Sequence, residues 1–327
     1  MFGRPGRTDY AQAVTLPSLD ALRCPVCGSP LSAEKGGLRC TGCGAFYPVE
    51  DGIPRLLDDR LPGIARKRRE IEGWAAMARV QGWYEPDDEV DAHLPYVCRD
   101  LGWDDKTWRA TEHSFTLLLG RHVRAGMRVL EVGAAKCWGA QHLVPRGCEY
   151  VGTDILADPK IGLGRGAFYE ERVGEFARVQ ADGEHLPFAD RWFDLTYCVA
   201  ALHHALDLGA MVREMARVTR RGGVVAALNE GTRAAGTSAE VPEQAEEKGY
   251  GINEHVHTLY AYLWAFVRAG LAPRRVEQAE GYGELAERRV AGRLLRLPVG
   301  GRSAATFFTQ TCRGYSGVSI YARRIRL

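Results

Sequence analysis

The chain of 327 residues contains no run of eighteen apolar residues, so nothing in it reads as a membrane-spanning helix. Its first residues, Met1-Phe2-Gly3-Arg4-Pro5, lack the apolar stretch of a secretory leader. Internal repeats and long low-complexity tracts are missing as well. Five of the nine cysteines (Cys98, Cys137, Cys148, Cys198, Cys312) are scattered, which suits reduced thiols rather than a disulfide framework. Together these absences predict a cytoplasmic globular protein. Acidic residues are missing from Arg288 to Leu327, where nine arginines stand. Yet the net charge is only +2, which argues against a large RNA duplex as partner. The length holds one full α/β domain with additional material.

What is present is best read from Arg128 to Asn229. Arg128-Val129-Leu130-Glu131-Val132-Gly133 is an apolar run opening into a loop, as for a parallel strand buried on both faces. A second strand, Tyr150 to Asp154, ends on an acid about twenty residues past that loop, where a dinucleotide-type site presents a carboxylate to a ribose. A third, Ala177 to Ala181, ends on Asp182. Then come Leu186-Pro187-Phe188, the strand Phe193 to Cys198, Leu202-His203-His204, and Arg220-Arg221-Gly222-Gly223 before the strand Val224 to Leu228. Each acid could equally be a polar residue that ends a buried strand.

This order resembles the class I S-adenosylmethionine (SAM)-dependent methyltransferases, especially the subgroup that includes the quinone-biosynthesis enzymes. The resemblance covers about a third of the chain. It implies a doubly wound, mostly parallel seven-stranded α/β sheet. It also implies that Asp154, with Ile155 beside it, takes the ribose hydroxyls. Asp182 and Gly183 would take the adenine, and Glu131, Gly133 and Ala135 would shape the turn at the methionyl end, with Cys198 on the fourth strand also near the cofactor. One departure stands out. The family's loop reads acidic-x-Gly-x-Gly-x-Gly, whereas here Ala135 and Cys137 replace the later glycines. Alanine is tolerable there if its φ stays negative, but Cys137 needs more room. Lys136 could pair with the cofactor carboxylate or sit in solvent. A repurposed SAM-fold protein without methyl transfer is one alternative this loop raises.

Upstream, Cys24-Pro25-Val26-Cys27-Gly28 and Cys40-Thr41-Gly42-Cys43-Gly44 form two Cys-x2-Cys knuckles twelve residues apart. Four thiolates suit a tetrahedral Zn2+ and leave no open position, so the ion is structural. From Leu22 to Leu57 the segment resembles the small zinc-ribbon partner of several RNA and protein methyltransferases, here fused in cis. The chain therefore divides into a tail (1–21), the ribbon (22–58), a helical cover (59–125) and a SAM-binding domain (126–327). That last domain carries a lid-like insertion near 231–257 and a basic segment at 288–327.

Residues 64–123 read as helices rich in tryptophan, lining a substrate pocket or merely packing. The basic run Arg66-Lys67-Arg68-Arg69 reads as a solvated helix start. From Glu287 to Leu297, Val290, Leu294 and Leu297 lie at helical spacing beside Arg289, Arg293 and Arg296, so an anionic small-molecule acceptor is expected, or else a plain solvated helix. His204 after the fourth strand, or His255 and His257 beyond the fifth, would serve as a general base. The same residues also read as packing and helix-start elements, with Asn253 as a cap. The acceptor is expected to be a secondary metabolite or a nucleotide- or lipid-linked sugar. An rRNA or tRNA base is the alternative, disfavoured because Cys198-Val199-Ala200-Ala201 stands where base-amino enzymes carry Asn/Asp-Pro-Pro-Tyr.

Overall fold

The computed structural model describes residues 18–237, 244–297, 300–312 and 316–325. Strands β1 (Leu31–Glu34), β2 (Gly37–Cys40), β3 (Phe46–Glu50) and β4 (Ile53–Pro54) form a small antiparallel sheet carrying the two knuckles. Gly28 and Gly44 hold φ of 72° and 73°, which lets each backbone turn back onto its first cysteine. Cys24 and Cys43 sulfurs lie 3.7 Å apart, and those of Cys27 and Cys40 lie 3.4 Å apart. In a tetrahedral four-thiolate zinc site, with bonds of about 2.3 Å, sulfurs stand about 3.8 Å apart, so the set fits the ion. Tyr47 lies 3.2 Å from Cys24 Sγ and donates to Asp58 at 2.9 Å, tying the knuckle to the chain that leaves it.

The ribbon is fastened to the edge of a larger sheet. Leu22 bridges Phe188, Arg55 bridges Gln180, and Leu56 N–H donates to the Gln180 carbonyl at 2.9 Å. Leu22, Leu38 and Leu56 enter the same hydrophobic cluster as Val179 and Phe188. An otherwise open strand edge is thereby covered.

The larger sheet comprises β5 (Arg128–Val132), β6 (Glu149–Asp154), β7 (Ala177–Gln180), β8 (Phe193–Val199), β9 (Thr219–Arg233), β11 (Leu271–Gln278) and β12 (Ser316–Arg324), with the two-residue β10 (His257–Thr258) beside β9. Its order is β7-β6-β5-β8-β9-β12-β11, parallel as far as β9 and antiparallel beyond. This is the expected doubly wound, mostly parallel fold. The chain reverses direction of winding at β5, which lies between β6 and β8, so a crevice opens at the carboxyl ends of these strands.

Four helices precede the sheet: α1 (Ile64–Gln81), α2 (Asp88–His93), α3 (Val97–Asp100) and α4 (Lys106–His122). The buried face of α1 is Lys67, Glu70, Gly73, Met77 and Ala78. Lys67 is thus not part of a solvated helix start. A Cβ on Gly73 would lie 2.4 Å from the Tyr250 carbonyl, so glycine lets α1 approach the segment that follows β9.

Other expectations need correction. The fifth parallel strand runs far past Val224–Leu228, into the expected lid, and residues 238–243 of that insertion lie outside the described residues, as does most of the 1–21 tail. Asn253 caps no helix: its amide donates to the His204 and Ala205 carbonyls, and Thr258 caps the helix Leu259–Arg268. The helix Arg289–Leu295 is packed through Ala291 and Gly292, while Val290 and Leu297 are exposed, because Gly292 abuts the Ala286 carbonyl.

Removing zinc should unfold β1–β4 before the main sheet, since zinc-binding energy in such small modules is largely folding energy. Chelator titration followed by amide hydrogen exchange should show protection lost first at residues 24–50. Simultaneous loss across β5 to β9 would refute this.

Candidate functional site

A pocket of about 430 Å³ opens at the carboxyl ends of β5, β6 and β8, roofed by α1, α2 and α4. Gly133, Ala135, Asp154, Ile155, Asp182, Gly183 and His204 all line it. Glu131 and Cys198 do not. Glu131 is fully enclosed and accepts from Tyr150 at 2.6 Å and Tyr197 at 2.7 Å; burial pushes its carboxyl up to about 7. Strand alternation turns Cys198 away from the pocket toward Glu230, while the next residue, Val199, faces it. Cys198 therefore faces away from this pocket, and Glu131 stands behind the turn without lining it.

Asp154 accepts from Ala135 N–H and Leu156 N–H, each at 2.8 Å, so its carboxylate shapes the first loop. Asp182 accepts from Glu184 N–H at 3.0 Å and faces His185 Nδ1 at 3.2 Å. Burial alone would raise Asp182, but His185 and Lys67 hold it below the ordinary carboxylate range. A Cβ on Gly133 would stand 2.7 Å from Ala201 Cβ, and its φ is 75°. Lys136 lines the pocket and pairs with buried Asp91 at 2.9 Å.

The replaced glycines of this loop keep the glycine backbone. Ala135 has φ 42° and Cys137 φ 65°, so the condition under which alanine would be easily tolerated, a negative φ, is not met. Room for the Cys137 sulfur comes from β6, where a Cβ on Gly152 would sit 2.8 Å from it.

The second half of the site is a titratable cluster. Glu230, at the far end of β9, accepts from the Ala201 and Leu202 N–H groups at 3.0 Å each and bonds His203 Nδ1 at 2.9 Å. His203 therefore orients the turn between β8 and the next helix. His204 reaches the pocket, with Nδ1 donating to the Asn253 carbonyl at 2.8 Å. Burial pushes this imidazole well below its ordinary range, so it is neutral and Nε2 carries the lone pair. Glu70 lies 3.7 Å and Glu254 3.4 Å from His204 Nδ1. Burial pushes Glu70 up to about 8 and Glu254 up to about 7. Neither His255 nor His257 lines the pocket. His255 is exposed, and His257 lies in β10, pairing with Thr232 across β9. Arg289, Arg293 and Arg296 do not line it either. In the sequence Lys67 reads as solvated and Glu70 does not stand out, because polar residues on a helix carry no sign of burial.

Residues 130–227 match the family described as methyltransferase domain, and residues 18–52 the family described as Trm112p-like protein. The demethylmenaquinone methyltransferase of Mycobacterium marinum is 34% identical over 119 residues, 36% of this chain and 46% of that protein. A UPF0434 protein of Pseudomonas savastanoi pv. phaseolicola is 45% identical over 53 residues, 16% of this chain and 87% of that protein. The structure of geranyl diphosphate C-methyltransferase from Streptomyces coelicolor A3(2) superposes with TM-score 0.52 at 15% identity, covering 81% of this chain and all of that one, which shows a shared fold. The chain spans about half the length of the first curated methyltransferases it matches.

Two outcomes follow from the geometry. Gly152→Ala should destabilise the protein by about 1–3 kcal/mol through overpacking, and Cys137→Gly in the same chain should restore most of that loss. Additive effects in denaturant titrations would refute the coupling. The second concerns pH. Glu70 protonates more readily folded than unfolded, its pKa rising from 4.5 to about 8, so the folded state binds the extra proton. Its contribution is complete below pH 4.5 and is lost as pH rises toward 8. Ligand-free protein should therefore lose stability across that window more steeply than Glu70→Gln. Parallel curves for the two proteins would rule this out.

Proposed function

We propose methyl transfer to a small-molecule acceptor for this chain, which belongs to the class I SAM-dependent methyltransferases and carries a Trm112-like ribbon in front of its catalytic domain. The observation carrying this reading is that Asp154 and Asp182, ending adjacent parallel strands, line one pocket with His204. When bound, SAM supplies a methyl group on a positively charged sulfur that leaves as a neutral thioether. Asp154 spends two of its roughly four lone-pair sites on backbone amides and keeps the rest for ribose hydroxyls. Asp182 and Gly183 meet the adenine, and Ile155 packs along the same side. Gly133 and Ala135 bring main chain close to the methionyl end.

His204 is the general base of this reading. Its Nδ1–H is fixed by the Asn253 carbonyl, so Nε2 is the nitrogen able to take a proton from an acceptor. The demethylmenaquinone enzyme is named for a small-molecule acceptor, which supports that class here. The zinc ribbon acts through structure: it covers the β7 edge, next to the strand end that carries Asp154.

Calorimetric titration with SAM tests the cofactor assignment. Asp154→Ala should weaken binding by about 1.5–3 kcal/mol, the scale for hydrogen bonds to a charged group. Unchanged affinity in both Asp154→Ala and Asp182→Ala would overturn it.

A further inference from the structure

Five of the seven tryptophans line this one pocket: Trp74 on α1, Trp83 after it, Trp103 in the loop before α4, Trp108 in its first turn, and Trp138 beyond the first loop. Acidic side chains outnumber basic ones in its lining. Four carboxyl groups line it, Glu70, Asp91, Asp154 and Asp182, against two lysines and, among the described residues, no arginine. Both lysines are committed. Lys67 lies 3.2 Å from Glu184 and 3.9 Å from Asp182, and Lys136 is bonded to Asp91. Glu70 is held more loosely: its side chain is 2% exposed, Lys67 stands 4.0 Å from its Oε2, and that buried oxygen has no hydrogen-bond partner. A buried acceptor atom without a donor costs free energy unless a ligand supplies one.

The geometry points to an organic amine as the methyl acceptor, its ammonium group meeting Glu70 and its body held among the tryptophans. This rests on the methyltransferase reading above and deepens it. An ammonium favours the ionised form of Glu70, donates to it, and is attracted to indole faces. A phosphate or carboxylate would find no uncommitted cation here, and would lie against Glu70. An alcohol supplies the donor but neither the charge nor the attraction to the rings. The anionic acceptor expected from the carboxyl-terminal arginines is therefore replaced by a cationic one. The ammonium must shed a proton before its nitrogen has a lone pair to share, and His204, lining the same pocket, offers Nε2, the nitrogen not bound to Asn253, to take it.

Calorimetry on protein saturated with S-adenosylhomocysteine tests this with three probes of one shape: 2-phenylethylamine, 2-phenylethanol and 3-phenylpropanoate. The amine should bind about tenfold more tightly than the alcohol, the factor for roughly one cation–π contact, and the carboxylate more weakly than either. Glu70→Gln should erase the preference while S-adenosylhomocysteine affinity stays the same. Trp103→Ala, at an exposed position where folding is not at stake, should weaken the amine alone. Equal binding of amine and alcohol, tighter binding of the carboxylate, or no binding of the amine overturns the proposal. So does a Glu70→Gln variant that loses S-adenosylhomocysteine affinity instead, which would make Glu70 a cofactor residue. Failure of the parent to bind S-adenosylhomocysteine would show that the methyltransferase reading itself had failed.

Discussion

A single buried ammonium joins the parts of this molecule. Lys67 sits on the inner face of α1, 5% exposed, among Asp182, Glu184 and Glu70, and donates to the His204 carbonyl at 3.4 Å. Burial alone would push its pKa down, but the three carboxylates outweigh it and hold the amine protonated. Glu184 in turn accepts from the Leu206 and Asp207 N–H groups, so one ion pair ties the roof helix to the turn that presents His204. Truncating one partner of such a cluster leaves an uncompensated charge, typically at 3–5 kcal/mol. The roof is therefore fixed by electrostatics at its centre, with apolar contacts such as Met77 and Ala78 toward its end.

That arrangement explains which features were legible in the sequence. The knuckles and the strands ending on Asp154 and Asp182 are short-range patterns, a spacing of two cysteines or a run of apolar residues closed by an acid. Their chemistry is set within a few residues, so the early parallel strands and the acids at their ends could be read. Lys67 and Glu70 belong to a contact across more than a hundred positions, and in isolation their helix reads as solvated. His255 and His257 failed for the opposite reason. Two histidines near a strand's carboxyl end match a base by type, but the short β10 pairing turns one into the sheet and leaves the other outside. The cover tryptophans were ambiguous, since packing and lining demand the same residue type; the pocket resolves it.

The altered first loop carries the same lesson at atomic scale. Of the six non-glycine residues with positive φ among those described, four lie at this rim: Ala135 at 42°, Cys137 at 65°, Ala200 at 47° and Asn229 at 53°, each just past the end of β5 or β8 or within β9. Each costs about 1–2 kcal/mol in an L-residue, and such costs persist only where the surroundings over-determine the backbone. Here the constraints are visible. Asp154 holds Ala135 N–H, Cys137 is locked beneath Gly152, and Asn229 bonds the Thr107 carbonyl and Thr111 hydroxyl of α4. The glycine missing from the loop has in effect moved to the strand beside it. Read along the chain, the loop looks like a damaged cofactor site. Read across the sheet, the turn keeps its left-handed backbone with space supplied by β6, and the roof helices are anchored to the same strained rim.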